Sequence, residues 1–237
     1  MKIAIIGASG TIGEAFLEHF LNASETEKLY LFSRSEVGNQ DARIIHQYID
    51  IEDEGSIEKA ANTIPSHENL DYIIVSTGIL HTDNILPEKS IKDLSYAKFS
   101  KLFAVNTIGP GLIGKHFIHK LSKNSRSIFA VLSARVGSIS DNILGGWYSY
   151  RCSKAALNML IKNFSIEARR KNPSLIAVGL HPGTVESSLS QPFSSNIRSD
   201  KIFSPEYSVT KMIRVLENLT YEDSGKLFAW DGSIIDF

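Results

Sequence analysis

The sequence predicts an α/β protein whose central parallel sheet is doubly wound, with about seven strands and with helices on both faces. Short apolar runs alternate along the chain with longer segments in which apolar residues recur every three or four positions. The length of 237 residues and the hydrophobic fraction of 43% suit one such domain. Repeats, low-complexity tracts and long linkers are absent from the sequence, so residues 1–237 are expected to fold as a single domain.

Each predicted element rests on its own run of residues. The strands are the apolar runs Lys2 to Ile6, Leu29 to Phe32, Ile44 to Ile49, Tyr72 to Ser76, Ser127 to Leu132, Leu175 to Leu180 and Lys226 to Ala229. The helices are the segments of helical spacing Ile12 to Leu21, Ile57 to Ala61, Phe99 to Leu121 and Tyr150 to Ala168. A serine-rich stretch near 187–204 contains Pro192 and is predicted to be a mobile loop over a site.

Composition narrows the classes of partner. The 25 Lys and Arg residues balance 26 Asp and Glu residues, so the formal charge is -1 and no basic field exists to hold nucleic acid. Cys152 is the only cysteine, which excludes an internal disulfide. No run reaches the roughly 18 apolar residues of a membrane span, and the apolar N-terminal run is too short for a signal peptide. We expect a soluble cytoplasmic protein, with no membrane or nucleic-acid partner and no metal site.

A glycine-rich turn follows the first predicted strand and opens the first helix. Glycine has no Cβ, so backbone N–H groups in such a turn can approach a phosphate at the positive end of the helix. A tight turn without a ligand is the alternative, and the spacing G-x-x-G-x-x-G does not settle which dinucleotide fold is present. The candidate cofactor-binding residues in this turn are Gly7, Ser9, Gly10, Thr11, Ile12 and Gly13.

Arg34 lies where the second strand ends, the place at which this class of sheet reads the ribose of a cofactor. An acidic residue there would hold the 2′-hydroxyl of NAD, whereas a planar guanidinium suits a 2′-phosphate, so NADP is favoured over NAD. A solvated loop arginine is the alternative. Further candidates end the third and fourth strands, beside the adenine amino group and the adenine ribose respectively: Asp50, Ile51, Ser76, Thr77 and Gly78.

Tyr150 and Lys154 are four residues apart, which places them on one face of a helix. At a separation of ~4 Å and an effective dielectric constant near 20, the lysine charge is worth about 4 kcal/mol to a phenolate, or roughly three pKa units. The pKa of the phenol is therefore expected to fall from ~10 toward the operating pH, where a general acid works best. A surface pair is the alternative. Tyr148 lies off this face.

These motifs together resemble those of the short-chain dehydrogenase/reductases. The resemblance adds Asn106 in the run from Val105 to Gly109, Ser133 at the end of the fifth strand, and Pro182-Gly183 after the sixth. It covers almost the whole chain. Within the family, the segments 134–139, 145–151 and 225–232 resemble the C-factor and sniffer-like carbonyl reductase branch. The resemblance implies a single-domain Rossmann fold that binds NADP and reduces a small-molecule carbonyl substrate.

The resemblance also implies a role for each catalytic candidate. Tyr150 would protonate the developing alkoxide, and Lys154 would hold the nicotinamide ribose and lower the pKa of the phenol. Ser133 would donate a hydrogen bond to the substrate oxygen. The main chain at Asn106 would hold a water that links Lys154 to solvent.

Further implied roles concern the turn after the sixth strand. Pro182, Gly183 and Val185 would lie near the nicotinamide carboxamide, and His181 would be structural. The helices that carry Asn106 and Tyr150 pair across a two-fold axis in many relatives, which implies that two copies form a homodimer. The loop around Trp147 is the opposing feature, because it is placed to block that contact.

One position departs from the family pattern. Most members have two serines at the end of the fifth strand and the second is catalytic, whereas here the second position is Ala134 and Ser133 occupies the first. Because side chains alternate along a strand, Ser133 could point away from the site. Ser138, 12 residues before Tyr150, is the rival candidate. We choose Ser133 as the catalytic serine.

The residues expected to face the substrate are mostly apolar, which favours a lipophilic or aromatic aldehyde or ketone. The alternative function is a non-catalytic NADP-binding sensor or signalling protein on the same fold. The joint presence of a proton donor, its lysine and Asn106 favours the enzyme. The expected substrate-facing residues are Ile79, Leu80, His81 and Trp147, with Gln191, Pro192 and Phe193 in the loop that begins at Glu186.

Overall fold

An eight-stranded sheet forms the centre of the computed structural model, which describes residues 1–196, 198 and 201–237. Its strands are β1 (Lys2–Ile6), β2 (Lys28–Ser33), β3 (Ile44–Tyr48), β4 (Tyr72–Val75), β5 (Ser127–Leu132), β6 (Leu175–His181), β9 (Leu227–Ala229) and β10 (Ile234–Ile235). Across the sheet they run in the order β10-β9-β6-β5-β4-β1-β2-β3, and only the pair of β9 and β10 at one edge is antiparallel. Two short strands, β7 (Thr184–Val185) and β8 (Ile202–Phe203), pair separately.

Helices cover both faces of the sheet, as a buried parallel sheet requires. The helices are α1 (Thr11–Asn22), α2 (Glu54–Asn62), α3 (Tyr96–Phe103), α4 (Gly109–Phe117), α5 (Tyr148–Lys171) and α6 (Pro205–Asn218). On one face α1 and α6 bury Phe16 and Met212 against the strands, and on the other face α2, α4 and α5 bury Ile57, Phe117 and Leu157. Each large side chain buried in this way contributes roughly 1.5–3 kcal/mol.

The doubly wound α/β fold is confirmed, and its details differ from prediction in three places. The edge strand β10 and the short strands β7 and β8 were not predicted, because two residues are too few for a hydrophobic pattern. The helix predicted from Phe99 to Leu121 is divided by a π-helical turn, Ala104–Ile108, which precedes Pro110. Proline has no N–H to donate to the carbonyl of Asn106, so the regular ladder cannot continue there. Helix α6 was missed, although Ser204 caps it and Pro205 begins it.

The strand order places a crevice at the carboxyl edge of the sheet. The chain crosses from β1 to β2 on one side and from β3 to β4 on the other, so β2 and β4 both flank β1. Ligands of doubly wound sheets bind in the crevice that opens where the winding reverses. The glycine-rich turn, the ends of β2, β4 and β5, and the first turn of α5 all meet at this edge. In the part of the chain that the structure describes, no helix is long and apolar enough to cross a bilayer.

Candidate active site

Two adjoining cavities occupy the crevice. The first, which we call the polar groove, has a volume of about 410 Å³ and lies over the glycine-rich turn and the ends of β2 and β3. The second, which we call the apolar cavity, has a volume of about 240 Å³ and lies over the ends of β5 and β6 and the first turn of α5. Residues Ser76, Thr77 and Gly78 line both, so a single elongated ligand can extend from one into the other.

The glycine-rich turn is packed as a phosphate-binding turn would be. Gly7 has a φ of +89°, and its N–H donates to the carbonyl of Phe32 at 2.8 Å. Gly13 packs so tightly that a Cβ on it would lie 2.1 Å from the Gly7 carbonyl oxygen. Helix α1 begins at Thr11 with Gly10 as its N-cap, which has no side chain to satisfy the first N–H groups. Those donors are therefore suited to an anion.

Most of the predicted cofactor residues converge on these two cavities. Gly7, Ser9, Gly10, Arg34, Asp50 and Ile51 line the polar groove, and Ile12, Tyr150, Lys154, Pro182, Gly183 and Val185 line the apolar cavity. Two of the predicted cofactor-binding residues line neither cavity. Gly13 is used in packing, and Thr11 borders a separate hollow with Glu14.

The junction between the cavities fits a dinucleotide. The Thr77 Oγ1 atom is buried and has no hydrogen-bond partner among the described residues. A Cβ on Gly78 would lie 3.3 Å from Lys154 Nζ, so the backbone passes close to the lysine there. Ser76 uses its hydroxyl to donate to the carbonyl of Ile6 at 2.9 Å, which ties the end of β4 to the glycine-rich turn. A buried hydroxyl without a partner, next to a glycine whose backbone a ligand can approach closely, is the arrangement expected around a ribose or phosphate.

Tyr150 and Lys154 lie together in the apolar cavity, on the inner face of α5. Both are buried, and the Lys154 ammonium donates to the carbonyl of Leu132 at 2.9 Å. Burial lowers the pKa of Lys154 to about 8 and raises the pKa of Tyr150 to about 12. The expectation that the cation lowers the pKa of the phenol is therefore wrong for the protein chain alone, because desolvation of the phenolate dominates.

Asn106 lies in the π-helical turn and uses its side chain as a brace. Its Oδ1 accepts from the N–H of Ile79 at 2.8 Å, while its Nδ2 donates to the carbonyl of Ile79 at 2.8 Å and to Ser153 Oγ at 3.1 Å. Asn106 thus joins the loop after β4 to helix α5 beside Lys154. The implied role of its main chain in holding a water stays a prediction.

The structure separates the two serine candidates. Ser133 lines the apolar cavity, and its hydroxyl donates to Asn158 Oδ1 at 2.6 Å. Ser138 is absent from the wall of that cavity; its Oγ accepts from the N–H of Asp141 at 3.1 Å in the following turn. The position of Ser133 at the cavity is consistent with its choice as the catalytic serine, which stays a prediction.

The outer wall of the apolar cavity is aromatic. The ring centroids of Trp147 and Phe193 are 5.2 Å apart, and those of Trp147 and Tyr150 are 6.3 Å apart. Leu80 lines this cavity, whereas Ile79 lines the polar groove. His81 contacts Phe193 from outside, and Gln191 and Pro192 are exposed. Of the predicted loop near 187–204, residues 197, 199 and 200 lie outside the described residues.

Trp147 is held in an unusual backbone conformation. Gly145, Gly146 and Trp147 have φ values of +63°, +66° and +49°, so three successive residues are left-handed immediately before α5. The N–H of Trp147 donates to the carbonyl of Glu88 at 2.6 Å, and the N–H of Ser149 donates to the Glu88 carboxylate at 3.2 Å. Glu88, which is fully buried, therefore fixes the turn that presents the tryptophan.

His181, predicted to be structural, also lines the apolar cavity. Its Nδ1 atom is buried and without a hydrogen-bond partner in the described chain. Burial, assisted by the charge of Arg135, lowers the pKa of His181 to about 4, although Asp231 acts in the opposite direction. The imidazole is therefore neutral at physiological pH.

With this geometry established, known proteins provide the identification. A family model described as short chain dehydrogenase matches residues 1–198. The chain belongs to the short-chain dehydrogenase family. The resemblance seen in the sequence is thereby confirmed, and the protein is an oxidoreductase of this family.

Two short-chain dehydrogenase relatives match much of the chain. C-signal of Myxococcus xanthus is 32% identical over 144 residues, which cover 61% of this chain and 81% of that protein. The 1-hydroxy-2-glutathionyl-2-methyl-3-butene dehydrogenase of Rhodococcus sp. (strain AD45) is 30% identical over 190 residues, 80% of this chain and 78% of that protein.

Solved structures of two carbonyl reductases superpose on the whole chain. The NADPH-bound carbonyl reductase from chicken fatty liver superposes with a TM-score of 0.85 at 27% identity, and the match covers 100% of this chain and 98% of that one. The carbonyl reductase Sniffer of D. melanogaster has a TM-score of 0.85 at 20% identity, covering 100% and 99%, which shows the shared fold. The match at 27% identity to a carbonyl reductase, together with the match to C-signal, supports the carbonyl reductase branch.

Two residues of this short-chain dehydrogenase site were missed in the sequence. Asn158 lies four residues after Lys154, and helical spacing alone would have placed it on the same face. Glu88 carries no comparable signal, because it lies in an irregular loop and meets α5 only through the tertiary fold. No group of three or more His, Cys, Asp or Glu side chains suited to a metal ion occurs among the described residues.

Proposed function

We propose that this protein is an NADPH-dependent carbonyl reductase that acts on small lipophilic aldehydes and ketones. One observation carries the proposal: the buried pair Tyr150 and Lys154 lies in an apolar cavity that opens, at Thr77 and Gly78, into a polar groove beside Arg34. A proton donor, a pocket for an apolar carbonyl compound and a groove for a dinucleotide thus occupy one crevice.

The groove supports NADPH as the cofactor. The N–H groups at the start of α1 would bind its pyrophosphate, and Arg34, exposed at the groove's rim, would pair with the 2′-phosphate. The carbonyl reductase from chicken fatty liver, which shares this fold, is described as NADPH-bound. When bound, NADPH supplies the hydride that the reduction of a carbonyl carbon requires.

The proton comes from Tyr150. A phenol with a pKa raised to about 12 is fully protonated at neutral pH, so it carries the proton that the reaction requires. As an alkoxide develops on the substrate, the proton passes from Tyr150 Oη to that oxygen. The Lys154 ammonium, held in place by the carbonyl of Leu132, lies on the same helix face and stabilises the phenolate left behind.

The apolar wall selects the substrate. Leu80, Trp147 and Phe193 are uncharged. Arg135, an exposed cation that also lines the cavity, is already paired with the carboxylate of Asp141 at 3.2 Å. The wall also excludes water from Tyr150, which strengthens the electrostatic interaction between the phenolate and the lysine. An uncharged aldehyde or ketone with a flat apolar substituent is the class of compound that fits.

The test is a turnover assay with three proteins. Wild type, Tyr150→Phe and Tyr148→Phe are each mixed with NADPH and a panel of aromatic and aliphatic carbonyl compounds, and the nicotinamide absorbance is followed. We expect wild type and Tyr148→Phe to oxidise NADPH and Tyr150→Phe to be slower by about 10²–10⁴-fold. NADPH binding, measured by fluorescence, should be the same in all three.

A different outcome would favour the second candidate, a nucleotide-binding sensor without catalysis. The engagement of the Ser133 hydroxyl by Asn158 is the observation that favours it, because that hydroxyl is turned to the protein. NADPH binding without turnover above the Tyr150→Phe rate would establish the sensor. Failure to bind NADPH would refute both candidates.

A further inference from the structure

We propose that Asn158 is a positioning residue that makes Ser133 a hydrogen-bond acceptor in this site, so that Tyr150 alone donates to the substrate oxygen. The inference rests on the proposed reductase function and sharpens it. It concerns the direction in which one hydroxyl proton points, and it departs from the two-donor arrangement that the family resemblance implies.

The hydrogen-bond pattern fixes which atom of the Asn158 amide faces Ser133. Asn158 Nδ2 lies 3.3 Å from the carbonyl oxygen of Gly137, and a backbone carbonyl can only accept. The nitrogen must therefore face Gly137, which leaves Oδ1 facing Ser133 at 2.6 Å. An amide oxygen carries no proton, so the hydroxyl of Ser133 is the donor in this contact.

Burial holds the hydroxyl in this direction. Ser133 and Asn158 expose only 4% and 2% of their surfaces, so water is not available to replace either partner. If the hydroxyl turned toward the cavity, the amide oxygen would be left buried without a donor. The usual penalty for such an orphaned acceptor lowers the population of the turned state by about 5- to 150-fold.

Ser133 has no proton left to donate to the substrate in this arrangement. Serine has one proton, and it is committed to Asn158, so only the lone pairs of Ser133 remain for the cavity that it lines. A carbonyl oxygen needs donors, which leaves Tyr150 as the donor. After hydride transfer to the carbon and proton transfer from Tyr150, the product is an alcohol, whose O–H can donate to Ser133.

A double-mutant cycle tests the inference. Asn158→Leu removes the acceptor at nearly constant size, which frees the Ser133 proton to donate to the carbonyl substrate. We expect the KM for an aromatic aldehyde to fall about 3- to 10-fold in Asn158→Leu, since a new donor strengthens ground-state binding. In the Ser133→Ala background the same change should alter KM by less than 2-fold, a coupling that a merely structural asparagine would not produce.

Asn172→Leu is the matched control. Asn172 is buried at the other end of α5, and its Nδ2 donates to the carbonyl of Ser122 at 2.9 Å. Its replacement should lower the melting temperature much as Asn158→Leu does but leave KM unchanged. If Asn158→Leu does not fold, Asn158→Ala removes the same acceptor. Equal effects of the Asn158 change with and without the Ser133 hydroxyl would overturn the inference.

A neutron map of a deuterated crystal separates this inference from the proposed function. We expect the deuteron on Ser133 Oγ to point at Asn158 Oδ1, and a deuteron that points into the cavity would overturn the inference whatever the activity. Loss of the difference between wild type and Tyr150→Phe in the turnover assay would refute the proposed function and leave the map unaffected.

Discussion

The polar groove and the apolar cavity share three residues but recognise their ligands by different physical means. The groove is walled by main chain and by solvated side chains such as Arg34 and Asp50. The cavity buries Tyr150 and Lys154 and encloses the Nδ1 atom of the partly exposed His181. Desolvation shifts each of the three pKa values in the direction that favours the neutral form. Backbone shape therefore makes the groove, whereas desolvation makes the chemistry of the cavity.

The burial of polar groups in the apolar cavity lowers the free energy of unfolding, whereas the charged side chains of the polar groove carry no such cost. A buried polar atom without a hydrogen-bond partner destabilises the fold, and His181 Nδ1 is such an atom at the cavity. The groove carries its charge at the surface, as in the ion pair between Lys101 and Glu52, where water screens it. Substitutions in the groove should therefore act through backbone shape and surface charge, and substitutions in the cavity through desolvation.

The largest effect is expected from Gly13→Ala in the glycine-rich turn. The new Cβ would lie 2.1 Å from the Gly7 carbonyl oxygen and 3.0 Å from Ala8 Cα, both of which are backbone atoms that cannot move aside. We expect a loss of about 3 kcal/mol or more of unfolding free energy, with a melting temperature lower by about 10 °C. Thermal unfolding followed by circular dichroism measures it.

Gly10→Ala is the matched control in the same turn. Its Cβ would be 3.4 Å from the same carbonyl oxygen, and its φ of -87° suits any residue. The cost should be about 1 kcal/mol or less, the difference between glycine and alanine at an N-cap. Equal destabilisation by the two variants would show that close packing does not shape the groove.

In the cavity, the corresponding test is the pH dependence of stability at His181. Its folded-state pKa of about 4 lies below the ordinary value of 6.5, so the unfolded chain binds the proton more tightly. The stability from this group is complete above pH 6.5 and is lost as the pH falls toward 4, by about 2–3 kcal/mol at pH 4.5. Urea unfolding at pH 7 and pH 4.5 should show this loss in wild type and not in His181→Asn.

His67→Asn controls for a general effect of removing a histidine, because His67 is exposed. This variant should lose stability with acid as much as wild type does. If His181→Asn also loses as much stability with acid as wild type does, the cavity does not desolvate the imidazole. The proposed difference between the apolar cavity and the polar groove would then be wrong for this residue.

Cofactor choice tests the groove by charge rather than by shape. Arg34→Asp places a carboxylate where a 2′-phosphate would bind, so the Kd for NADPH should rise about 100-fold while that for NADH changes by less than 3-fold. Isothermal titration with both nucleotides measures the two values. Arg214→Asp, the same charge change at an exposed position on α6, should affect neither. Equal loss of both affinities would mean that Arg34 does not read the phosphate.

The contrast also explains what could be predicted from sequence. The groove follows from local rules: a strand, glycines without Cβ and a helix start lie within twelve residues of one another, from Lys2 to Gly13. Likewise, Tyr150 and Lys154 share a face because helical spacing requires it. Both features were predicted because their geometry is decided within one or two elements of secondary structure.

The missed features depend on contacts between distant segments. Glu88 reaches Ser149 across 61 residues, and Ser133 meets Asn158 across 25, so no short pattern encodes either contact. The pKa of Tyr150 was predicted in the wrong direction for a related reason. A pairwise estimate counts the nearby cation, but desolvation depends on every residue that closes the cavity.

The smallest effect, and the sharpest test of the apolar wall, is expected at Trp147. Its left-handed backbone costs a non-glycine residue about 1–2 kcal/mol, and the bond from its N–H to Glu88 retains it. Trp147→Gly removes the indole and relieves the strain together, so the fold should survive. The KM for aromatic carbonyl compounds should rise about 10-fold, because a ring loses its stacking partner, while Trp147→Phe should stay within about 3-fold of wild type.

The control is internal, since a small aliphatic aldehyde has no ring to stack. Its KM should not change in Trp147→Gly, and neither should the Kd for NADPH, because the indole lines only the apolar cavity. The left-handed backbone at Trp147 is explained if it serves to place the indole where it binds the substrate. An unchanged KM for aromatic compounds would make Trp147 a packing residue and would remove the physical reason for a left-handed turn at this point in the chain.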